Sequence, residues 1–85
     1  MKPSISRREI IKVIHSEVAR YAARDFWDDE DLLRDVHVVG DDLTAAALRV
    51  EKRLGVKIER SQYPAIHTVN ELADAIERAL SEQMH

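Results

Sequence analysis

The sequence predicts an all-α protein: a small bundle of three long helices and one short helix, with a long loop after the first helix. Three separate stretches carry apolar residues at helical spacing, and each has helix-capping residues at one of its ends. A helix cannot bury its own apolar stripe, so the three helices must pack together. We treat residues 1–85 as a single domain, because a chain of this length builds one modest core.

The first predicted helix runs from Ser6 to Ala23. Ser6 and Glu9 have the spacing of a capping box, and Ile5 can pack on Ile10 at the entry to the helix. The residues at helical spacing on its core-facing side are Ile10, Ile14, Val18 and Tyr21.

The stretch Gly40-Asp41-Asp42-Leu43 opens the central predicted helix, which runs to Leu54-Gly55. Asp41 or Asp42 can accept a backbone N–H and cap its start, and Gly55 can take the left-handed conformation that ends a helix. Its apolar stripe comprises Leu43, Ala47, Val50 and Leu54. Basic residues near its end complement the helix dipole, each by ~0.3–1 kcal/mol when exposed; they are Arg49, Lys52 and Arg53.

The segments between the long helices carry weaker patterns. We expect the aromatic pair at positions 26 and 27 to anchor the loop onto the core. The alternation at positions 56–58 predicts a brief extended segment, and positions 59–63 predict a short helix that Pro64 ends. Thr68 and Glu71 form a second capping box, so we start the last helix at Thr68.

The charge of the chain is unevenly distributed. The net charge is −3, but residues 1–24 carry a balance of +4 and residues 25–42 a balance of −7. No broad basic face follows from this pattern, so we predict no nucleic-acid partner. The chain has no cysteine, which excludes disulfides and thiolate zinc sites. Without a membrane-spanning run or a signal-peptide pattern, we expect a monomeric cytoplasmic protein of bacterial type that does not bind membranes.

Two candidate chemical sites are weak. The acidic run at positions 28–31 lacks the alternating oxygen ligands and the glycine of a calcium loop, so we predict no metal site. The four histidines are scattered along the chain, and a bundle of this size leaves little room for a cleft. Only His37, close in sequence to Asp41 and Asp42, offers a pairing to inspect. We therefore expect no catalytic residues and no enzyme activity.

Several stretches together resemble the acyl carrier protein family. Together the stretches cover about residues 7 to 80, and it is their order and spacing that resemble the family. The chain is also similar to a group of bacterial carrier-like proteins with Gly-Asp-Asp at the central motif. The resemblance implies a four-helix fold that carries acyl groups on a phosphopantetheine arm. The stretches that carry it are Leu32-Leu33-Arg34-Asp35, Gly40-Asp41-Asp42-Leu43, Val50 to Ile58, and Ile66-His67-Thr68-Val69-Asn70-Glu71-Leu72.

The chain departs from the family at the residue that holds the arm. The family has an Asp-Ser-Leu motif at the start of its second helix, and its serine takes the arm. Matching that motif to Asp41-Asp42-Leu43 puts Asp42 at the serine position but shortens the helix by two residues, which turns a helix face by roughly 200°. The gap-free alignment from Gly55 puts Gly40 there instead, and we prefer it. Neither alignment supplies a serine, and Thr44 is displaced from the site.

These observations leave three functional hypotheses. The first is a carrier-like protein without an arm or any other cofactor, which contacts a protein partner such as a fatty-acid or polyketide type enzyme. The second is a working acyl or peptidyl carrier with 4'-phosphopantetheine on Thr44. The third is a small DNA-binding module that contacts DNA through the basic residues of the central helix. The residues we predict to bind a partner are Asp28, Asp29, Asp31, Asp41, Asp42, Arg49, Lys52 and Arg53.

Overall fold

In a computed structural model, which describes residues 5–83, the chain forms four helices and no strand. The three longer ones are α-helices and the fourth is a 3₁₀ helix. In chain order they are α1 (Arg7–Val18), α2 (Gly40–Leu54), the 3₁₀ helix (Arg60–Ala65) and α3 (Val69–Gln83). The prediction of an all-α protein with three long helices and one short helix is confirmed at this level.

The core lies between α1 and the other two α-helices, because α1 packs against both α2 and α3. Apolar residues from every α-helix and from the connections meet there, and the radius of gyration is 12.3 Å. The largest fully buried side chains include Ile10, Ile14, Leu32, Val50, Leu72 and Ile76. The helical stripes in the sequence therefore predicted which helix faces are buried.

Helix α1 is shorter than predicted, because it ends at Val18 rather than Ala23. The chain tightens there: Tyr21 donates its N–H to the carbonyl of Val18 at 2.9 Å, three residues back. Such short-range bonds commonly close the last turn of a helix. At the other end the cap is as predicted, since Ser6 Oγ accepts the N–H of Glu9 at 3.2 Å.

Helix α2 begins at Gly40, and the predicted aspartate cap is wrong. Val39 is the N-cap residue and makes no side-chain capping bond. Asp41 and Asp42 lie inside the first turn, where their charge faces the positive end of the helix dipole. The end of the helix is as predicted, because Gly55 has φ +67° and closes it in the left-handed conformation.

The chain between α2 and α3 is compact. Val56 and Ile58 are buried and Lys57 is exposed, which is the alternation expected of an extended segment. Pro64 lies inside the 3₁₀ helix and does not end it, contrary to the prediction. Proline lacks an N–H, but the N–H of Ile66 donates to the carbonyl of Tyr63 at 3.0 Å, so the hydrogen-bonded turn continues beyond Pro64.

Helix α3 has the more complete of the two capping boxes. Glu71 donates its N–H to Thr68 Oγ1, and the Glu71 carboxylate accepts the N–H of Thr68, both at 3.0 Å. The helix itself starts at Val69, one residue after the predicted start, because Thr68 is the cap. Within residues 5–83, no helix is long and apolar enough to cross a membrane.

Residues 19–39 join α1 to α2 through a series of turns. Phe26 anchors this connection as expected: it is buried, and its ring stacks on that of His15 with centroids 4.6 Å apart. Trp27 does not, because its side chain is 76% exposed. The prediction of an anchoring aromatic pair is therefore right for Phe26 and wrong for Trp27.

Candidate functional site

A mainly apolar groove of about 280 Å³ lies beside the first turns of α2. Leu33 of the connection before α2 contributes to its lining, and so do the 3₁₀ helix and the residues after it. Its lining includes Leu33, Gly40, Leu43, Thr44, Tyr63 and His67. The start of α2, which the sequence singled out, is thus the place where three separate segments of the chain meet around a concave surface.

Gly40 occupies an open position in this groove. It is exposed and is the first residue of α2. A Cβ added there would meet no atom of a neighbouring segment within 4 Å. The position therefore has room for a larger side chain, although the chain itself places no hydroxyl there.

Thr44 is the hydroxyl that lies nearest in sequence to this position on α2. It is exposed one helical turn after Gly40 and lines the groove. It also lines a second depression, whose wall includes the exposed side chain of Leu48. Tyr63 lines both depressions.

The position of Tyr63 depends on a buried glutamate of α2 that sequence reasoning missed. Glu51 is 7% exposed, and its Oε1 accepts the N–H of Ile58 at 2.9 Å. Its other oxygen accepts the hydroxyl of Tyr63. Burial and this hydrogen bond raise the pKa of Tyr63 above its ordinary value. Glu51 thereby joins α2 to the segment after it and to the 3₁₀ helix.

A second missed residue is Glu17, which is 3% exposed at the end of α1. Its Oε2 accepts a hydrogen bond from Nη1 of Arg53 at 3.0 Å and so links α1 to α2. Its Oε1 lies 3.2 Å from Nε of Arg20, in an ion pair without hydrogen-bond geometry. A buried carboxylate needs such cationic neighbours, because its desolvation is otherwise costly.

The predicted partner-binding residues differ in their exposure and in whether they have partners within the fold. Arg49, Lys52 and Arg53 are all exposed on α2, and Arg53 also forms an ion pair with Glu17. Of the acidic members, two are exposed and three are partly buried, and some of them have partners within the fold. The exposed ones are Asp29 and Asp41, and the partly buried ones are Asp28, Asp31 and Asp42.

Two of the acidic residues hold the connection in place. Asp28 Oδ1 lies 2.5 Å from Nε2 of His15. Asp31 Oδ1 accepts the N–H groups of Arg34 at 2.8 Å and of Leu33 at 3.0 Å, and these bonds lower the pKa of Asp31. These aspartates therefore have structural partners.

Glu30 lies in the connection between α1 and α2 and forms an ion pair with Arg24. The guanidinium of Arg24 binds both carboxylate oxygens of Glu30, at 3.2 and 2.8 Å. The N–H of Trp27 donates to Glu30 Oε1 at 2.7 Å. Both contacts lower the pKa of Glu30, from 4.5 to about 2, and the hydrogen bond from Arg24 has the larger effect. The carboxylate is thus the centre of a tight turn, a role that its position in an acidic run did not reveal.

The one histidine–aspartate pairing suggested by the sequence does not form. Among the described residues, His37 makes no hydrogen bond or ion pair with Asp41 or Asp42. Its backbone is unusual, however, since φ is +63° in a residue other than glycine. Residues 5–83 also contain no cluster of three His, Cys, Asp or Glu side chains that could hold a metal ion. The fourth histidine, His85, lies outside the described residues.

The chain was compared with known proteins at three levels. It matches no family model, no curated protein and no solved structure.

Proposed function

We propose that the chain is an acyl-carrier-protein-like protein that acts by contact with a protein partner and carries no phosphopantetheine arm. The observation that supports it most is the start of α2. Gly40 stands at the first helical position, beside an apolar groove, with open space where a side chain would be. A phosphodiester to an arm requires a hydroxyl, and glycine has none.

The resemblance also implies the class of partner. Carrier proteins work with biosynthetic enzymes, so a fatty-acid or polyketide type enzyme is the partner we propose. Contact would use the exposed acidic residues between α1 and α2 and at the start of α2. Of the acidic residues that we predict to bind a partner there, Asp29 and Asp41 are exposed and Asp42 is partly exposed. We assign the chain no catalytic residue.

A second candidate function is a carrier that is modified on Thr44. It is favoured by the exposure of Thr44 and by its place in the groove wall. Thr44 lies four residues, about one helical turn, after Gly40, so the arm would be attached one turn further along α2.

Intact mass spectrometry distinguishes the two functions. The protein is incubated with coenzyme A and a promiscuous phosphopantetheinyl transferase. The wild type is expected to keep its mass, because no hydroxyl stands at the first position of α2. A gain of one arm that Thr44→Ala abolishes would contradict the proposal and establish the second function.

A gain-of-function variant tests the carrier resemblance itself. Gly40→Ser places a hydroxyl at the open first position of α2 and is expected to accept the arm. Gly40→Ala is the matched control and should remain unmodified. Asp42→Ser recreates the family motif in the alternative alignment but lies about 200° around the helix, so we expect no modification. Modification of Asp42→Ser alone would show that our alignment is wrong.

A further inference from the structure

Trp27 is the only tryptophan of the chain, and most of its surface is exposed to solvent. Its side chain is 76% exposed, more than any other large apolar residue in the part of the chain that the structure describes. Tryptophans in folded proteins are mostly well buried, since their side chains carry a large apolar surface. Trp27 contributes little to the core, so its exposure needs another explanation.

The residues on either side of Trp27 fix its direction. Phe26 points inward and stacks on His15. Asp28 contacts His15 through its side chain, and its carbonyl accepts the N–H of Asn70 from α3 at 3.0 Å. Because both neighbours are held against the helices, Trp27 cannot turn inward without breaking these contacts.

The turn that presents Trp27 is also closed on itself. The N–H of Trp27 donates to the Glu30 carboxylate, and the N–H of Glu30 donates back to the carbonyl of Trp27 at 3.2 Å. Arg24 binds that carboxylate and donates to the carbonyls of Asp25 and Asp35, at 2.7 and 3.0 Å. An aromatic side chain on a rigid backbone loses little conformational entropy when it binds, which favours its use as an anchor.

The charge around Trp27 indicates what it can bind. Asp25 and Asp29 are exposed on either side of it and form no ion pair within residues 5–83. Their charge disfavours nucleic acids and anionic lipid surfaces. It also disfavours a second copy of the chain, whose groove lies beside Asp41 and Asp42 at the start of α2. A protein surface with lysines and arginines complements it.

We propose that Trp27 is an anchor that inserts into an apolar pocket, edged by lysine or arginine, on a partner protein. This rests on the proposed function and names the residue that carries the contact. Interfaces commonly depend on a few such aromatic anchors surrounded by polar contacts. An arginine of the partner could stack on the indole face as well as pair with the flanking aspartates.

The experiment uses the intact chain immobilised and exposed to a lysate of the cells that make it. The chain is compared as wild type, Trp27→Ala, Trp27→Phe and Leu48→Ala, the last being a control because Leu48 is an exposed apolar residue of α2. Circular dichroism establishes that each variant is folded. The retained protein is then purified, and its affinity for each variant is measured.

We expect Trp27→Ala to weaken binding about 30-fold or more, Trp27→Phe to retain most of it, and Leu48→Ala to have little effect. Higher salt should also weaken binding. Chain labelled with 5-fluorotryptophan gives a single ¹⁹F signal from position 27, which should shift on binding. Capture alone is insufficient, because only the loss in Trp27→Ala together with the ¹⁹F shift supports the anchor.

Two outcomes overturn the proposal differently. If Trp27→Ala binds the retained protein as tightly as the wild type, or the ¹⁹F signal does not move, Trp27 is not the anchor, while the proposed function stands. If no protein is retained by any of the four chains, the proposed function fails together with this inference.

Discussion

At the scale of single residues, His37 is the position where the backbone is least typical. It adopts φ +63° between Val36 and Val38, both of which are almost completely buried. The N–H of Val38 donates to the carbonyl of Leu32 at 2.8 Å and closes the turn. The left-handed conformation lets both valines reach the core, at a cost of about 1–2 kcal/mol for a residue with a Cβ.

We expect His37→Gly to leave the free energy of unfolding unchanged or to raise it by up to about 1 kcal/mol. Relief of backbone strain outweighs the larger unfolded-state entropy of glycine. His37→Val should lower the free energy of unfolding by about 1 kcal/mol or more, because a β-branched side chain tolerates this conformation poorly. Urea unfolding followed by circular dichroism measures both variants. A valine variant as stable as the wild type would show that φ at this position is not left-handed in solution.

At the scale of an element, α3 depends on its capping box. Thr68 and Glu71 each satisfy a backbone N–H of the other, so two donors at the start of the helix are covered. This arrangement was predictable because capping boxes act over three residues of sequence. The cap of α2 was mispredicted, because two adjacent aspartates fit the local pattern of a cap but the N-cap residue is Val39.

Thr68→Ala should lower the free energy of unfolding by about 1 kcal/mol, since the N–H of Glu71 loses its acceptor. Ser81→Ala is the matched control, because Ser81 is an exposed hydroxyl residue of the same helix. Chemical unfolding at a fixed pH compares the two. Equal losses in both variants would mean that the cap is not what stabilises the start of α3.

At the scale of the whole molecule, the Glu51–Tyr63 contact holds together segments that are distant in sequence. It joins α2 to the 3₁₀ helix, while Ile58 is tied to the same carboxylate. Since Tyr63 also lines the groove, the contact shapes the candidate site as well as the fold.

Tyr63→Phe should lower the free energy of unfolding by about 1–3 kcal/mol, because a buried oxygen of Glu51 loses its donor. The pKa of Tyr63 is higher in the folded protein than its ordinary value of 10. The contribution of Tyr63 to the free energy of unfolding is therefore fully present below pH 10 and is lost as the pH rises above 10. The difference in the free energy of unfolding between the wild type and Tyr63→Phe should therefore become smaller above pH 10.

Unfolding measured from neutral to alkaline pH tests this, with Tyr21→Phe as the control. The hydroxyl of Tyr21 makes no hydrogen bond within the described part of the chain. A Tyr63→Phe variant with wild-type stability at neutral pH would contradict the contact.

The candidate site was predictable only in part. Its location at Gly40 and the absence of a serine there follow directly from the order of residues. The groove does not, because its other walls come from Leu33 and from Tyr63 to His67, which only folding brings to α2. The division of the acidic run into exposed and structurally engaged aspartates likewise depends on His15 and on backbone donors elsewhere in the chain.

The sequence by itself determined the helix class, the buried faces, the caps at the starts of α1 and α3 and the end of α2, because stripes and caps act within a few residues. Tertiary structure alone decided that Phe26 lies inside and Trp27 outside, and that Glu17 and Glu51 are buried. Their partners stand far away in the chain: Arg53 is 36 residues from Glu17, and Tyr63 is 12 residues from Glu51. A charged residue is buried only where such a partner compensates its desolvation, and that pairing exists only in the folded molecule.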